Sequence, residues 1–272
     1  QGGWNWIVEG VPGVAIVRIS SFGERTAGEL ASALDVIEGQ DDLRGLIVDL
    51  RGNPGGLLSA AVEVCDMFLD DGVIVHIRGR LTQGGGDSDG TDLRRASRGS
   101  RLDGLPVVVI VDGLTASAAE IVAACLQDSR RATVVGSRTY GKGTIQTIIP
   151  LSDDRGLLKL TTAEYLRPTR AAIHRRPGGD EDRPWGVSPD EGYEVSPTAE
   201  AASRVTAWRQ MREAVGPKPS WMVARGLPRD VDQVLARALD AVENASRSAA
   251  VAHFGREKET AGDDHDAAFS GL

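Results

Sequence analysis

Four short runs of β-branched and aliphatic residues, each closed by a turn-forming residue, constrain this chain more than any other feature. They are GVAIVRIS (13–20), LRGLIVDLR (43–51), PVVVIVDG (106–113) and ATVVGS (132–137). Runs this continuously apolar need cover on both faces, as the strands of a parallel sheet do. Helical spacing fills the gaps: about 26–39 with Leu30, Leu34 and Ile37 on one face, 57–71 with Ala61, Val64, Cys65 and Phe68, and 117–129. Strands alternating with helices predict βα units around a largely parallel sheet. GVIVHIRGR (72–80) reads as a further strand, and TIQTIIPL (144–151) and 157–168 as a β-rich stretch. Residues 79–104 are rich in glycine and charge and read as an exposed loop.

After WGVSPDEGYEV the character changes. Helices are predicted over about 199–214 and 229–245, the second with Val231, Val234, Leu235, Ala238 and Val242 on one face. The Ala-, Asp- and Glu-rich tail from 246 is predicted to be disordered. The expected organisation is a core over 1–198, a helical appendage over 199–245 and a tail over 246–272.

With 272 residues, 41% of them hydrophobic, the chain can bury a full core. Its net charge of −8 argues against a general affinity for nucleic acid or anionic membrane. No apolar run is long enough to span a bilayer. The opening QGGWNWIVEG has no signal-peptide pattern and is expected to be cut from a longer precursor. Cys65 and Cys125 read as buried, inert thiols, with a single disulfide left open.

The stretch VVGSRTYGKGTIQT (134–147) imitates a phosphate-binding loop. It lacks the Ser or Thr that should follow the lysine, and a strand follows where a helix should. Lys142 therefore needs another job. It is one of only four lysines among 31 basic residues. Arginine stays protonated, whereas a desolvated lysine can lose its proton and act as a base.

A hydroxyl stands upstream. Ser117-Ala-Ala-Glu120 reads first as a capping box at a helix start. It also puts a serine at a strand-to-helix turn, where free amides can stabilise an oxyanion. Of the four histidines, His76 lies mid-strand and His253 and His265 lie in the tail. His174, in an arginine-rich loop, is the fallback base, and Lys142 is the better one. To work near neutrality the lysine must give up a proton normally held to about pH 10.4. Burial away from carboxylates would do this.

GLIVDLRGNPGGLL, VVVIVDGLTASAAEIVAACLQDSRRATVVGSRTYGKGTIQT and GVSPD together resemble the catalytic core of the C-terminal processing peptidases, or tail-specific proteases. The likeness spans roughly 13–195 and includes the interval of 25 residues from Ser117 to Lys142 (142 − 117). It implies a Clp-protease/crotonase-like α/β fold of stacked βα units with a small helical C-terminal appendage. It further implies Ser117 as nucleophile, Lys142 as general base and Gln146 as the residue orienting the amine. The oxyanion hole would be the backbone N–H of Ala118 with that of Gly56, or of its neighbour Gly55. An extended strand would place Gln146 about 13 Å from Lys142, so Gly141 and Gly143 must bend the chain.

The resemblance implies a polypeptide substrate, an acyl-enzyme mechanism and an extracytoplasmic site, with any export signal upstream; a homo-oligomer is compatible with it. The opening and WGVSPDEGYEV segments resemble bacterial members in particular. No metal or organic cofactor is implied, because no His/Cys/Asp cluster has ligand spacing. Three departures stand out. There is no room for the family's PDZ domain, the 79–104 loop is unusual, and 167–186 is enlarged and densely charged. Two rival readings stay open: a silent peptide-binding or scaffolding module, and a hydratase or thioesterase like the acyl-CoA-acting relatives of the fold.

Overall fold

The computed structural model describes residues 6–79, 91–97, 99–151, 156–176, 184–213 and 231–263, the last from 249 onward as backbone only. The four apolar runs form one parallel sheet in the order β1-β2-β5-β6. Its strands are β1 (Val14–Arg18), β2 (Gly45–Asp49), β5 (Val107–Val111) and β6 (Ala132–Gly136). Every residue of β2 and β5 is buried, which is why neither alternates polar with apolar.

The pleat sends successive side chains to opposite faces. Ala15, Val17, Leu46, Val48, Val109 and Val134 face a core shared with α1 (Thr26–Glu38), α2 (Leu58–Asp66) and α3 (Ala118–Asp128). Helix α3 is buried continuously from Ala118 to Leu126, and its alanines keep it slim enough for that position. Cys65 and Cys125 meet in this layer as free, buried thiols. Burial, and then the neighbouring Cys125, push the Cys65 thiol well above its ordinary range, so it is inert.

Val14, Ile47, Val108, Ile110 and Val135 point the other way, onto Val234, Ala238, Leu239 and Val242. Those residues belong to α5 (Gln233–Asp263), which follows α4 (Ala199–Glu213). The helical segment expected as an appendage is therefore one of the two covers of the sheet. A Cβ on Gly45 would strike Val242, so the helix lies directly on β2. Helix α5 also runs on through 246–263, where composition predicts disorder. Its Ala-, Glu- and Lys-rich sequence propagates a helix already nucleated by packing. Residues 264–272 lie outside the described residues.

The run at 72–80 does not join the parallel sheet. As β3 (Val73–Gly79) it enters a second, antiparallel sheet of order β4-β3-β8-β7. There it meets β4 (Thr91–Arg95), β7 (Thr144–Pro150) and β8 (Leu157–Leu166). Part of the expected 79–104 loop is thus strand β4, whose charged sequence conceals that Leu93 pairs opposite His76. The remainder at 80–90 is outside the described residues. Among those described, no helix is long and apolar enough to cross a membrane.

Candidate active site

Two turns at the C-terminal ends of neighbouring strands build the site. After β5, the Asp112 carboxylate accepts from the amides of Leu114 and Thr115, and from Gly52 of the turn after β2, each at 3.0 Å. Ser117 then adopts φ +58° and ψ −120°, a region that costs a non-glycine residue about 1–3 kcal/mol. Ser117→Gly is therefore expected to be more stable than Ser117→Ala by about 1 kcal/mol or more. Urea denaturation of the two variants checks this.

The turn after β2, Arg51-Gly52-Asn53-Pro54-Gly55-Gly56, lies against that serine. A Cβ on Gly55 would sit 2.7 Å from Ser117 Cβ and 2.9 Å from the Ala118 nitrogen; only glycine permits the approach. Asn53 is fully buried and ties the turn down. Its Nδ2 donates to the Ile19 carbonyl at 2.8 Å, and its own carbonyl accepts from the Ala116 amide at 2.9 Å. Asn53 Oδ1 also accepts from the Gly55 amide at 2.8 Å. The Gly55 donor is thus taken, whereas the amides of Gly56 and Ala118 have no hydrogen-bond partner among the described residues. Of the two neighbouring glycines, Gly56 is thus the one with its donor left over.

The third part is the segment after β6. Glu120 is completely buried, and four donors converge on its carboxylate. Oε1 accepts from Thr139 Oγ1 at 2.6 Å and from the Gly141 amide at 2.7 Å. Oε2 accepts from the Ser117 amide and the Lys142 amide, each at 2.8 Å. The capping box is present, and the same side chain joins the serine turn to the lysine segment. Sequence reasoning missed this second role, because the added partners lie 19 to 22 residues away and no spacing rule points to them.

The Lys142 side chain is exposed, so the burial expected around it is absent in the chain itself. It forms no ion pair among the described residues, and no hydrogen bond joins it to Ser117. It lines a cavity of about 400 Å³ together with Arg138, Tyr140, His174, Arg175 and Trp185. The fallback base His174 is therefore near the lysine, while His76 is held mid-strand with Nε2 on the Pro168 carbonyl at 3.2 Å. The glycines do bend the chain: Gly141 has φ +83°, and 138–143 is irregular before β7 begins. A bulge follows between Ile145 and Gln146. Gln146 is nevertheless exposed and forms no hydrogen bond with Lys142.

Beneath the turn that carries Gly56 lies an ion network. Arg51 grips Asp49 with Nε at 2.9 Å and Nη2 at 2.7 Å, and its Nη1 reaches Asp232, at the start of α5, at 2.8 Å. Arg209 of α4 approaches Asp49 at 3.4 Å. Burial alone would raise the Asp49 carboxyl, but the guanidiniums of Arg51 and Arg209 hold it below the usual carboxylate range. A carboxyl depressed on folding contributes stability that is complete above its unfolded value, about 3.9, and is lost as pH falls through the folded one. The stability deficit of Asp49→Asn should therefore be largest at neutral pH and shrink below about pH 4. Urea midpoints of both proteins at the two pH values measure it.

Three clusters thus converge: free amides at a helix mouth, a serine in a strained turn, and a lysine segment locked to it by one carboxylate. Peptidase family S41 matches residues 13–192, and the chain belongs to this family of serine peptidases. It is 43% identical over 165 residues to the carboxy-terminal-processing protease of Bartonella bacilliformis, covering 59% of this chain and 36% of that one. Its identity to the carboxyl-terminal-processing protease of Synechocystis is 38% over 181 residues, covering 66% and 38%. The matched part is thus well under half the length of these curated relatives. Among solved structures, the photosystem II D1 C-terminal processing protease superposes with a TM-score of 0.57 at 35% identity, over 68% of this chain and 43% of that one. Mature CPAF in complex with lactacystin, at 16% identity, shares the fold with a TM-score of 0.57 over 85% of this chain and 52% of its own. Among the described residues, no three His, Cys, Asp or Glu side chains gather closely enough to hold a metal ion.

Proposed function

We propose that this protein is a serine endopeptidase that cleaves extended polypeptide through an acyl-enzyme. Ser117 Oγ attacks the scissile carbonyl carbon while the neutral Lys142 amine takes its proton. The developing oxyanion accepts from the Gly56 and Ala118 amides. Collapse breaks the C–N bond, and Lys142 returns the proton to the leaving amine. Water, deprotonated by Lys142, then releases the acyl group and restores Ser117. Gln146 orients the amine once the site closes. Bound polypeptide covers the exposed Lys142 side chain and strips it of water. The names of the relatives suggest processing near a C-terminus; a periplasmic or envelope-associated compartment and self-association belong to the same proposal.

The observation that carries this reading is the buried Glu120 carboxylate, which holds the Ser117 and Lys142 amides on one oxygen at 2.8 Å each. Few purely structural needs would put one acceptor between those two backbones. The test is covalent labelling by a fluorophosphonate beside cleavage of a peptide library. Modification at Ser117, with labelling and cleavage both lost in Ser117→Ala, is expected. Cleavage that persists in Ser117→Ala, or a labelled protein that turns over no peptide, would reject the proposal.

A further inference from the structure

The cavity beside Lys142 offers chemistry that the hydrolysis does not use. Among the described residues its lining includes Arg138, Lys142, His174 and Arg175, and no carboxylate. Glu120 lies behind it, with both oxygens already committed to four donors. Both arginines lie against Trp185: the guanidinium carbon of Arg138 lies 5.0 Å from its ring centroid and that of Arg175 lies 4.8 Å from it. A guanidinium held against an aromatic ring keeps its N–H edge available for a carboxylate, which it binds in bidentate fashion. Among the described residues Arg138 spends Nε alone, on Ser188 Oγ at 3.0 Å. Neither arginine forms an ion pair among the described residues.

The clamp is built into the lysine segment. The Arg175 amide donates to the Gly141 carbonyl at 2.9 Å. A Cβ on Gly141 would lie 2.7 Å from Trp185 Cε3 and 2.9 Å from Arg175 Cβ, and one on Gly143 would lie 3.0 Å from His174 Cβ. The glycines on either side of Lys142 thus let His174, Arg175 and Trp185 settle directly on it. We infer that this cavity is a carboxylate-reading subsite, in which Arg138 and Arg175 over Trp185 take one negatively charged group of the substrate. That group is an Asp or Glu side chain near the scissile bond, or the substrate's own terminal carboxylate. This inference rests on the peptidase reading. The acid must sit on the arginines and not on the Lys142 amine, which has to release its proton, so the preference belongs in KM.

Matched peptides test it: Glu against Gln at each position flanking the cleaved bond, and a free C-terminus against its amide. One of these pairs is expected to favour the acid by about tenfold in kcat/KM, which also identifies the source of the charge. That ratio should fall towards one in R138M/R175M, where methionine keeps the apolar stem; each single variant should lower it in part. Thermal unfolding confirms that the variants are folded. No discrimination in the parent protein, or discrimination that survives the double variant, overturns the inference. If no peptide is cleaved at all, the same ratios are read as affinities for dye-labelled peptides bound to Ser117→Ala. An acid preference there that R138M/R175M removes upholds the subsite although the peptidase reading fails. Equal affinities overturn it.

Discussion

Lys142→Arg is expected to cut peptide hydrolysis by about 10²–10⁴-fold, the usual worth of a general base, and Lys142→Ala by as much. The arginine variant carries the greater weight. It preserves positive charge and length in a cavity that already holds two guanidiniums, so loss of charge cannot account for its failure. What it removes is the ability to be neutral, since a guanidinium stays protonated. The fold should be unaffected, because the side chain is exposed and only the backbone amide engages Glu120. Initial rates on a cleaved peptide, with circular dichroism as the control, decide the matter. Substantial turnover in Lys142→Arg would reject a proton-accepting lysine and turn attention to His174, which lines the same cavity.

Glu120→Gln should have a comparable effect for a different reason. The carboxylate accepts from three amides and a hydroxyl. A carboxamide turns one of its two oxygens into an NH₂ that faces donors. Unsatisfied buried donors cost about 1–3 kcal/mol each, so a stability loss of about 3 kcal/mol is expected. Misplacing the Ser117 and Lys142 backbones by about 1 Å should also cost on the order of 10²-fold in rate. Fluorophosphonate labelling at saturating reagent separates the two effects. A variant that is folded yet labelled slowly fits a positioning role, whereas one that is destabilised yet labelled at the parent rate reduces Glu120 to a helix cap.

The parallel sheet was legible because a strand buried on both faces leaves an unbroken apolar run, as in Val107–Val111. Which sheet a run joins is not legible in that way. Val73–Gly79 looks the same as its neighbours but pairs with the charged β4 and with β8, the latter far along the chain. The stripe on α5 could be seen in Val234, Ala238 and Val242, but not the surface it would cover. In the candidate site, Ser117 and Lys142 stood out by residue type and by the resemblance to the processing peptidases. A physical reason to prefer Gly56 to Gly55 needed the Asn53 side chain, and the added partners of Glu120 lie 19 to 22 residues away. The enlarged 167–186 segment was visible as a run of charge, while the seating of His174, Arg175 and Trp185 on the lysine segment depends on two glycines whose value lies in what they leave empty.

The pairing of Arg51 with Asp232 spans 181 positions, and Asp232 lies beyond the end of the family match at 192. A fragment trimmed to that boundary would strip Arg51 of Asp232, leave it to Asp49, and bare an oily sheet face to solvent. The smallest excisable unit therefore extends past the conventional edge of its family. Anyone grafting, shuffling or shortening this protein has to move the two segments together.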